Sequence, residues 1–268
     1  MSAESHWRGG RFGPYATCVL AANAGPMTLD GTNTWVLRGA EEGPSVVVDP
    51  GPLEPSHLDA VAQVAGEVAV VLLTHHHADH AEAAAAFGAR VGCGVRALDP
   101  AYRLGEEGLG AGDVVEVGGL EIRVVATPGH TADSLSFLVP EAAAVLTGDT
   151  VLGRGTSVVA HPDGHLGAYL DSLHLLHRLA QEHAITAVWP GHGPVIADAL
   201  PVLDHYLAHR RERLEQVREA LRHLDPDRPD LAAAVVEVVY AEVDPVLWGA
   251  AELSVRAQLA YLHTPHPR

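Results

Sequence analysis

The chain of 268 residues contains no lysine: its 17 cationic side chains are all arginine, set against 34 Asp and Glu, for a formal net charge of −17. Such a balance excludes a general nucleic-acid coat protein. Cysteine is almost missing as well, and Cys18 and Cys93 build neither a disulfide framework nor a paired zinc-ligand spacing. Aromatic residues make up 5% of the chain and do not cluster at stacking positions in its last third, so no single-strand stacking platform is read there. No apolar run approaches the length that spans a bilayer, and no membrane partner is expected. The first 13 residues carry Arg8 and Arg11 and no long apolar stretch, which reads as neither secretory signal nor transit peptide. A cytoplasmic location is the resulting expectation. There is no internal repeat and no low-complexity linker.

What the chain does have is apolar residues and histidine. Hydrophobic residues are 47% of the total and mean hydropathy is +0.10, enough for a well-buried core and against global disorder. The length suits one large domain, or a domain with a small appendage. Histidine, at 18 copies, outnumbers the arginines. If those imidazoles cluster, they bind metal.

Short Val- and Leu-rich runs bounded by Gly, Pro and Asp predict strands over residues 34–37, 45–48, 68–73, 114–117, 121–126, 134–139, 143–146 and 187–189. Helical periodicity predicts helices over 55–65, 80–87, 166–182 and 201–224. Gly118-Gly119 between two β-rich runs reads as a tight hairpin. An antiparallel block followed by β-α alternation implies an α/β fold of mixed sheets covered by helices. Composition shifts near His205: residues 205–268 hold eight Arg and ten acids, a net of −2, and the first 204 the remaining −15. The chain is therefore expected to divide into a catalytic domain, 1–204, and a helical appendage, 205–268, with helices near 205–224, 230–242 and 245–262.

The strongest signal is Thr74-His75-His76-His77-Ala78-Asp79-His80, which follows the apolar run 68–73 and opens an alanine-rich helix. Side chains two apart on an extended loop project the same way, so His75 and His77 can grip one ion, while Asp79 and His80 can face a second. Imidazoles with one carboxylate suit Zn²⁺ better than the oxygen-seeking Mg²⁺ or Ca²⁺. Three more turns repeat the arrangement just past a strand end and beside a glycine: Pro128-Gly129-His130, Gly148-Asp149 and Gly191-His192. Together they make one site.

On these residues the sequence resembles the metallo-β-lactamase superfamily, over about its first 200 residues. The resemblance implies an αβ/βα four-layer sandwich with metals at one edge. It also implies two Zn²⁺ per chain, the first held by His75, His77 and His130, the second by Asp79, His80 and His192, with Asp149 bridging. Asp49 corresponds to a family aspartate that supports the histidine loop through hydrogen bonds. The Asp at position 149 disfavours a true β-lactamase, and the His at position 77 disfavours the diiron flavoprotein branch. A bridging hydroxide, formed between ions about 3.5–4 Å apart, is the implied nucleophile. Asp79, a ligand and a nearby carboxylate, is the candidate catalytic residue for moving a proton.

Residues 23–34, the Gly153-Arg154-Gly155-Thr156-Ser157 turn and the arginine-bearing tail resemble the β-lactamase-like protein 2 branch, whose better-known members are endoribonucleases with a winged-helix-like module. The implied function is a zinc-dependent hydrolase acting on a phosphodiester, in single-stranded RNA or a nucleotide-like molecule. A thioesterase or ester hydrolase of the glyoxalase II type is the alternative, favoured by the acidic surface. No stable nucleic-acid complex is expected. Asn33, Thr156 and Ser157 are the candidate substrate contacts. His76 points away from its neighbours, and His161 and His165 are read as loop residues near the cleft mouth.

Overall fold

The computed structural model describes residues 6–39 and 43–264. Its strands are β1 (Gly10–Phe12), β2 (Ala16–Leu20), β3 (Asn33–Leu37), β4 (Ser45–Val48), β5 (Val68–Leu72), β6 (Gly94–Arg96), β7 (Val114–Val117), β8 (Leu120–Ala126), β9 (Leu135–Val139), β10 (Ala144–Gly148) and β11 (Ala187–Pro190). Its α-helices are α1 (Pro55–Ala65), α2 (Ala78–Ala81), α3 (Ala84–Val91), α4 (Leu166–Glu182), α5 (Ala199–Leu221), α6 (Leu231–Val239) and α7 (Trp248–His263). One sheet runs in the order β1-β2-β3-β4-β5-β6 and the other β11-β10-β9-β8-β7.

The alternation of a strand's side chains sorts the apolar residues into layers. Trp35, Leu37, Val46 and Val48 face inward, against Leu120, Ile122, Phe137 and Leu146 of the second sheet. Val36 and Val47, the intervening residues, face outward onto Leu58 and Val61 of α1 and Phe87 of α3. On the far side, Leu138, Val145 and Val188 pack under Tyr169, Leu173 and Leu176 of α4 and Leu203 and Tyr206 of α5. The result is the four-layer αβ/βα sandwich. Trp35 and Trp189 stack across it with centroids 5.2 Å apart. A pair of this kind adds about 0.5–1.5 kcal/mol beyond the area it buries.

Gly118 and Gly119 have φ of 57° and 80°, which supplies the two positive-φ residues that a two-residue turn between β7 and β8 requires. Three strands, β1, β2 and β6, lie outside the sequence expectation. The helix expected over 80–87 instead begins at Ala78 and is broken into α2 and α3. The break has a tertiary cause: the Ala83 amide donates to the Gly51 carbonyl (3.2 Å), and the Gly51 amide donates to the His80 carbonyl (3.2 Å). The loop after β4 thus stitches itself into the junction.

After β11 no strand follows among the described residues. Helix α5 is continuous from Ala199 to Leu221, so position 204/205 lies within it. Leu203, Tyr206 and Leu214 belong to the core under α4, and Val217 joins Val235, Val236, Ala251 and Val255 in a separate small core of α5, α6 and α7. No helix is long and apolar enough to cross a membrane among the described residues.

Candidate metal centre

Strand direction gathers the site. β5 runs parallel to β4, β11 parallel to β10, and β8 and β10 both pair antiparallel with β9. Their carboxyl ends therefore share one edge of the sandwich, and each is followed by a site residue: Asp49 after β4, His75 after β5, His130 after β8, Asp149 after β10 and His192 after β11. Two glycines let the turns close. A Cβ on Gly191 would lie 2.5 Å from Asp149 Oδ1 and 2.7 Å from His80 Cε1, and one on Gly148, at φ 47°, would lie 2.6 Å from Thr74 Oγ1. Only a residue without a side chain fits either place.

The hydrogen bonds fix which ring nitrogens carry protons. Asp49 Oδ1 accepts from the Thr74 amide (2.8 Å), and its Oδ2 accepts from Thr74 Oγ1 (2.6 Å) and His80 Nδ1 (2.9 Å). Because the Thr74 hydroxyl hydrogen goes to Asp49, Thr74 Oγ1 must accept from His75 Nδ1 (2.9 Å). His130 Nδ1 donates to the Val158 carbonyl (2.7 Å) and His192 Nδ1 to the Gly31 carbonyl (3.1 Å). In neutral imidazoles this leaves the Nε2 lone pairs of His75, His80, His130 and His192 bare.

Those lone pairs converge in two groups. His77 Nδ1 lies 3.1 Å from His75 Nε2 and 3.1 Å from His130 Nε2. His192 Nε2 lies 3.2 Å from His80 Nε2 and 3.1 Å from Asp79 Oδ2. Ligands of one tetrahedral ion at about 2.0–2.1 Å stand about 3.3 Å apart, close to these spacings. Asp149 sits between the groups: Oδ2 is 3.7 Å from His130 Nε2 and 3.3 Å from His192 Nε2, and Oδ1 is 3.5 Å from His80 Nε2. Asp149 Oδ1 is buried without a hydrogen-bond partner. An orphaned carboxylate oxygen among bare nitrogen lone pairs is the donor set that a cation satisfies. The residues present fit two metal ions.

The electrostatics divide along the same line. Burial, reinforced by neighbouring imidazoles, holds His75 well below its ordinary value and His77 down at about 4; burial also lowers His130 against the pull of Asp149. These three stay neutral, as ligands must. In the second group burial again disfavours charge, but the carboxylates of Asp149 and its neighbours outweigh it, raising His80 and pushing His192 up to about 11. For Asp79, burial works upward and is overcome by the bond to His192 and the charge of His80, which hold the carboxyl at about 2. Asp149 is likewise held well below the carboxylate range, against its burial, by His192 and His80. Imidazoles this basic take up a cation at Nε2, whether proton or metal ion.

The other expected site residues fare differently. Asn33 is fully buried and its amide is occupied: Nδ2 donates to the Pro190 (3.0 Å) and Gly193 (2.8 Å) carbonyls, and Oδ1 accepts from Trp7 Nε1 (2.7 Å) and Cys18 Sγ (3.3 Å). It holds the turn that carries His192, which corrects the expectation of a substrate contact. Ser157 is also buried, with Oγ 3.2 Å from His130 Nδ1, so its hydroxyl backs that imidazole. Thr156 is half-buried and stands 3.5 Å from His209 Nε2. His76 turns away from the ligands and pairs through Nδ1 with Asp133 (2.8 Å). His165 caps α4, its Nδ1 accepting from the Ala168 amide (3.2 Å). Sequence reasoning missed the supports contributed by Thr74, the Gly31 and Val158 carbonyls and Arg210, whose guanidinium donates to the Ser157 carbonyl. Backbone carbonyls carry no sequence signal, and Arg210 is far from its partner in the chain.

Comparison with known proteins agrees with this geometry. The chain is 32% identical over 245 residues to a beta-lactamase-like protein 2 homolog of Caenorhabditis elegans, covering 84% of this chain and 76% of that one. It is 31% identical over 245 residues to an atrochrysone carboxyl ACP thioesterase of Aspergillus fumigatus, covering 88% and 74%. It is 36% identical over 206 residues to a lactamase-like protein of Emericella nidulans, covering 74% of this chain but only 63% of that one, so it spans less than two thirds of that relative. Among solved structures, a beta-lactamase domain protein of Burkholderia ambifaria superimposes with a TM-score of 0.78 at 23% identity, over 95% of this chain and 87% of that one, a likeness of fold. Residues 27–192, which contain every residue of both histidine groups and the aspartate between them, match the metallo-beta-lactamase superfamily, and the chain belongs to that superfamily.

Proposed function

We propose that the protein is a zinc-dependent hydrolase with two ions per chain, acting on a thioester or ester. The observation that carries the hydrolytic reading is the pair of nitrogen-lined groups with the orphaned Asp149 oxygen between them. When bound, divalent ions at such a place supply Lewis acidity, which lowers the pKa of water and polarises a carbonyl or phosphoryl oxygen. His75, His77 and His130 would hold one, Asp79, His80 and His192 the other, and Asp149 would touch both. Zinc suits a set made of imidazoles and carboxylates.

The chain's own groups supply the rest. Asp49 and the Val158 and Gly31 carbonyls keep the imidazoles in the tautomer that presents Nε2. Asp79, with 28% of its side chain exposed, reaches the cleft, and its carboxylate accepts a proton from an attacking water and returns it to the leaving group. Thr32 Oγ1, 3.5 Å from Asp79 Oδ2, steadies it.

The sequence put single-stranded RNA first among substrates; ion pairing in the tail favours the thioester. Arg218 pairs with Glu215, Arg222 with Glu219, Arg228 with Asp230 and Arg256 with Glu252, so these four guanidinium groups sit beside carboxylates, which disfavours a continuous surface track for a polyanion. Met27 and Leu53, 50% and 54% exposed, lie on the loop that carries Gly31 and on the loop that follows Asp49, and leave apolar surface uncovered there. Thioesterases among the relatives support the same reading. The test is to incubate zinc-loaded protein with a panel of acyl thioesters and with labelled single-stranded RNA, with and without chelator, beside Asp149→Ala. Chelator-sensitive thioester hydrolysis abolished in Asp149→Ala is expected; RNA cleavage with the same dependence and no thioester turnover would reverse the substrate order.

A further inference from the structure

A cavity of about 170 Å³ lies where residues 156–158 meet α5 and the start of α7. Its lining includes Arg210 and Arg213 and no Asp or Glu, in a chain where acids outnumber arginines by two to one. Neither guanidinium is paired with a carboxylate among the described residues. Arg210 donates to the Ser157 carbonyl and lies 4.8 Å over the Tyr169 ring; Arg213 donates to the Val239 carbonyl (2.7 Å) and lies 4.4 Å over Tyr240. Arg210 is 5% exposed, and its Nε is buried without a partner. Two cations so held, one of them almost wholly desolvated, call for a counter-charge that no carboxylate among the described residues provides. His209, which also lines the cavity, is lowered to about 4, by burial first and by Arg210 and Arg213 next, in keeping with the positive charge at the wall. Val158, Val243, Leu247, Ala250 and Ala251 give the lining an aliphatic part, beside the hydroxyls of Thr156, Ser157 and Ser254.

We propose that this cavity binds an amphipathic anion, a carboxylate or phosphate on an apolar body, and that it seats the end of the substrate remote from the bond that is cleaved. The guanidinium groups match the charge, the aromatic rings hold them in place and the aliphatic wall takes the body. Adjacency to the metal centre is direct: Ser157 and Val158 line the cavity, and both touch His130. The identity of the anion as part of the substrate rests on the hydrolytic reading above; the anion site itself does not.

The test is calorimetric titration of the zinc-loaded full chain with hexanoate, butyl phosphate and the neutral hexanamide. Both anions are expected to bind, with hexanamide weaker by about tenfold or more, and the tighter anion identifies the headgroup. Arg213→Gln is expected to weaken anion binding by about tenfold or more, with Arg213→Lys recovering most of it. Arg218→Gln, whose guanidinium pairs with Glu215 outside the cavity, leaves binding and turnover unchanged. In kinetics, Arg213→Gln raises KM for a thioester with a distal carboxylate and leaves KM for its neutral analogue alone. Equal binding of hexanoate and hexanamide, or anion binding unaffected by Arg213→Gln, overturns the proposal. If anion binding depends on Arg213 in a protein that hydrolyses nothing, the site stands and the hydrolase reading falls. If turnover is present and Arg213→Gln changes no KM, the hydrolase stands and the anion site falls.

Discussion

Asp49→Asn probes how the fold prepares its ligands. The carboxylate accepts three hydrogen bonds, from the Thr74 amide, Thr74 Oγ1 and His80 Nδ1, at 2% exposure. An amide keeps one oxygen for the Thr74 N–H but turns a donor toward the other two groups. His80 then relaxes by moving its proton to Nε2, so that Nδ1 accepts, and the nitrogen facing His192 and Asp79 loses its lone pair. Loss of an outer partner of this kind lowers metal affinity by about 10–100-fold, or about 1.4–2.7 kcal/mol. Because His80 belongs to the second group, that ion should weaken while the ion at His75, His77 and His130 is affected less. The metal-free protein should also lose about 1–3 kcal/mol, from buried donors without acceptors. Competition between the protein and a chromophoric chelator resolves the two affinities, and urea denaturation gives the stability. Two zinc affinities within about threefold of the parent in Asp49→Asn would refute the tautomer argument.

Other outcomes follow from the same geometry. Removing metal with chelator and then restoring zinc at about a thousand times its Kd should raise stability by about 4 kcal/mol, read as a Tm increase on the order of 10 °C; an unchanged Tm would remove metal from the picture. Gly191→Ala drives a Cβ against Asp149 Oδ1 and should cost about 1–3 kcal/mol together with bound metal; full metal content in a folded variant would contradict the close approach. His77 and His209 have folded values of about 4 against about 6.5 unfolded, so between those limits the unfolded chain binds more protons and the metal-free protein loses stability as pH falls. Asp79, at about 2 folded against 3.8, extends the loss to lower pH. The raised His80 and His192 do not oppose it, because below about pH 6 they are protonated in both states. Urea midpoints that do not fall between about pH 6 and pH 4.5 would be the contrary result.

Most of the ligand cluster was legible because each donor follows an apolar run that ends in a glycine turn, and the periodicity of the strands carries the donors to one edge. The supports were less legible because they arise from pairing across long chain separations. Asn33 lies among small polar residues that look like a substrate loop, and only the fold reveals four partners, three of them at positions 7, 190 and 193. The split between α2 and α3 had no local signal, since Glu82-Ala83 is good helix sequence; Gly51 imposes it from another loop. Strands β1 and β2 carry the mixed burial of a sheet edge, and β6 has three residues, too few for a pattern to declare itself.

Helix α5 decides where this chain can be divided. Tyr206 Oη accepts a hydrogen bond from the Leu152 amide (2.8 Å), three residues after Asp149, and Arg210 on the next turn grips Ser157 beside His130. Severing the chain at 204 would strip both from the loop that follows Asp149, leaving the candidate metal centre without these two braces. The far end of α5 is equally committed, because Val217 packs with Val235, Val236, Ala251 and Val255, and Ala257 of α7 returns to the core under α4. The helix is therefore a shared beam: two turns separate Val217, in the core of the terminal helices, from Arg210, which braces the loop beside the candidate metal centre.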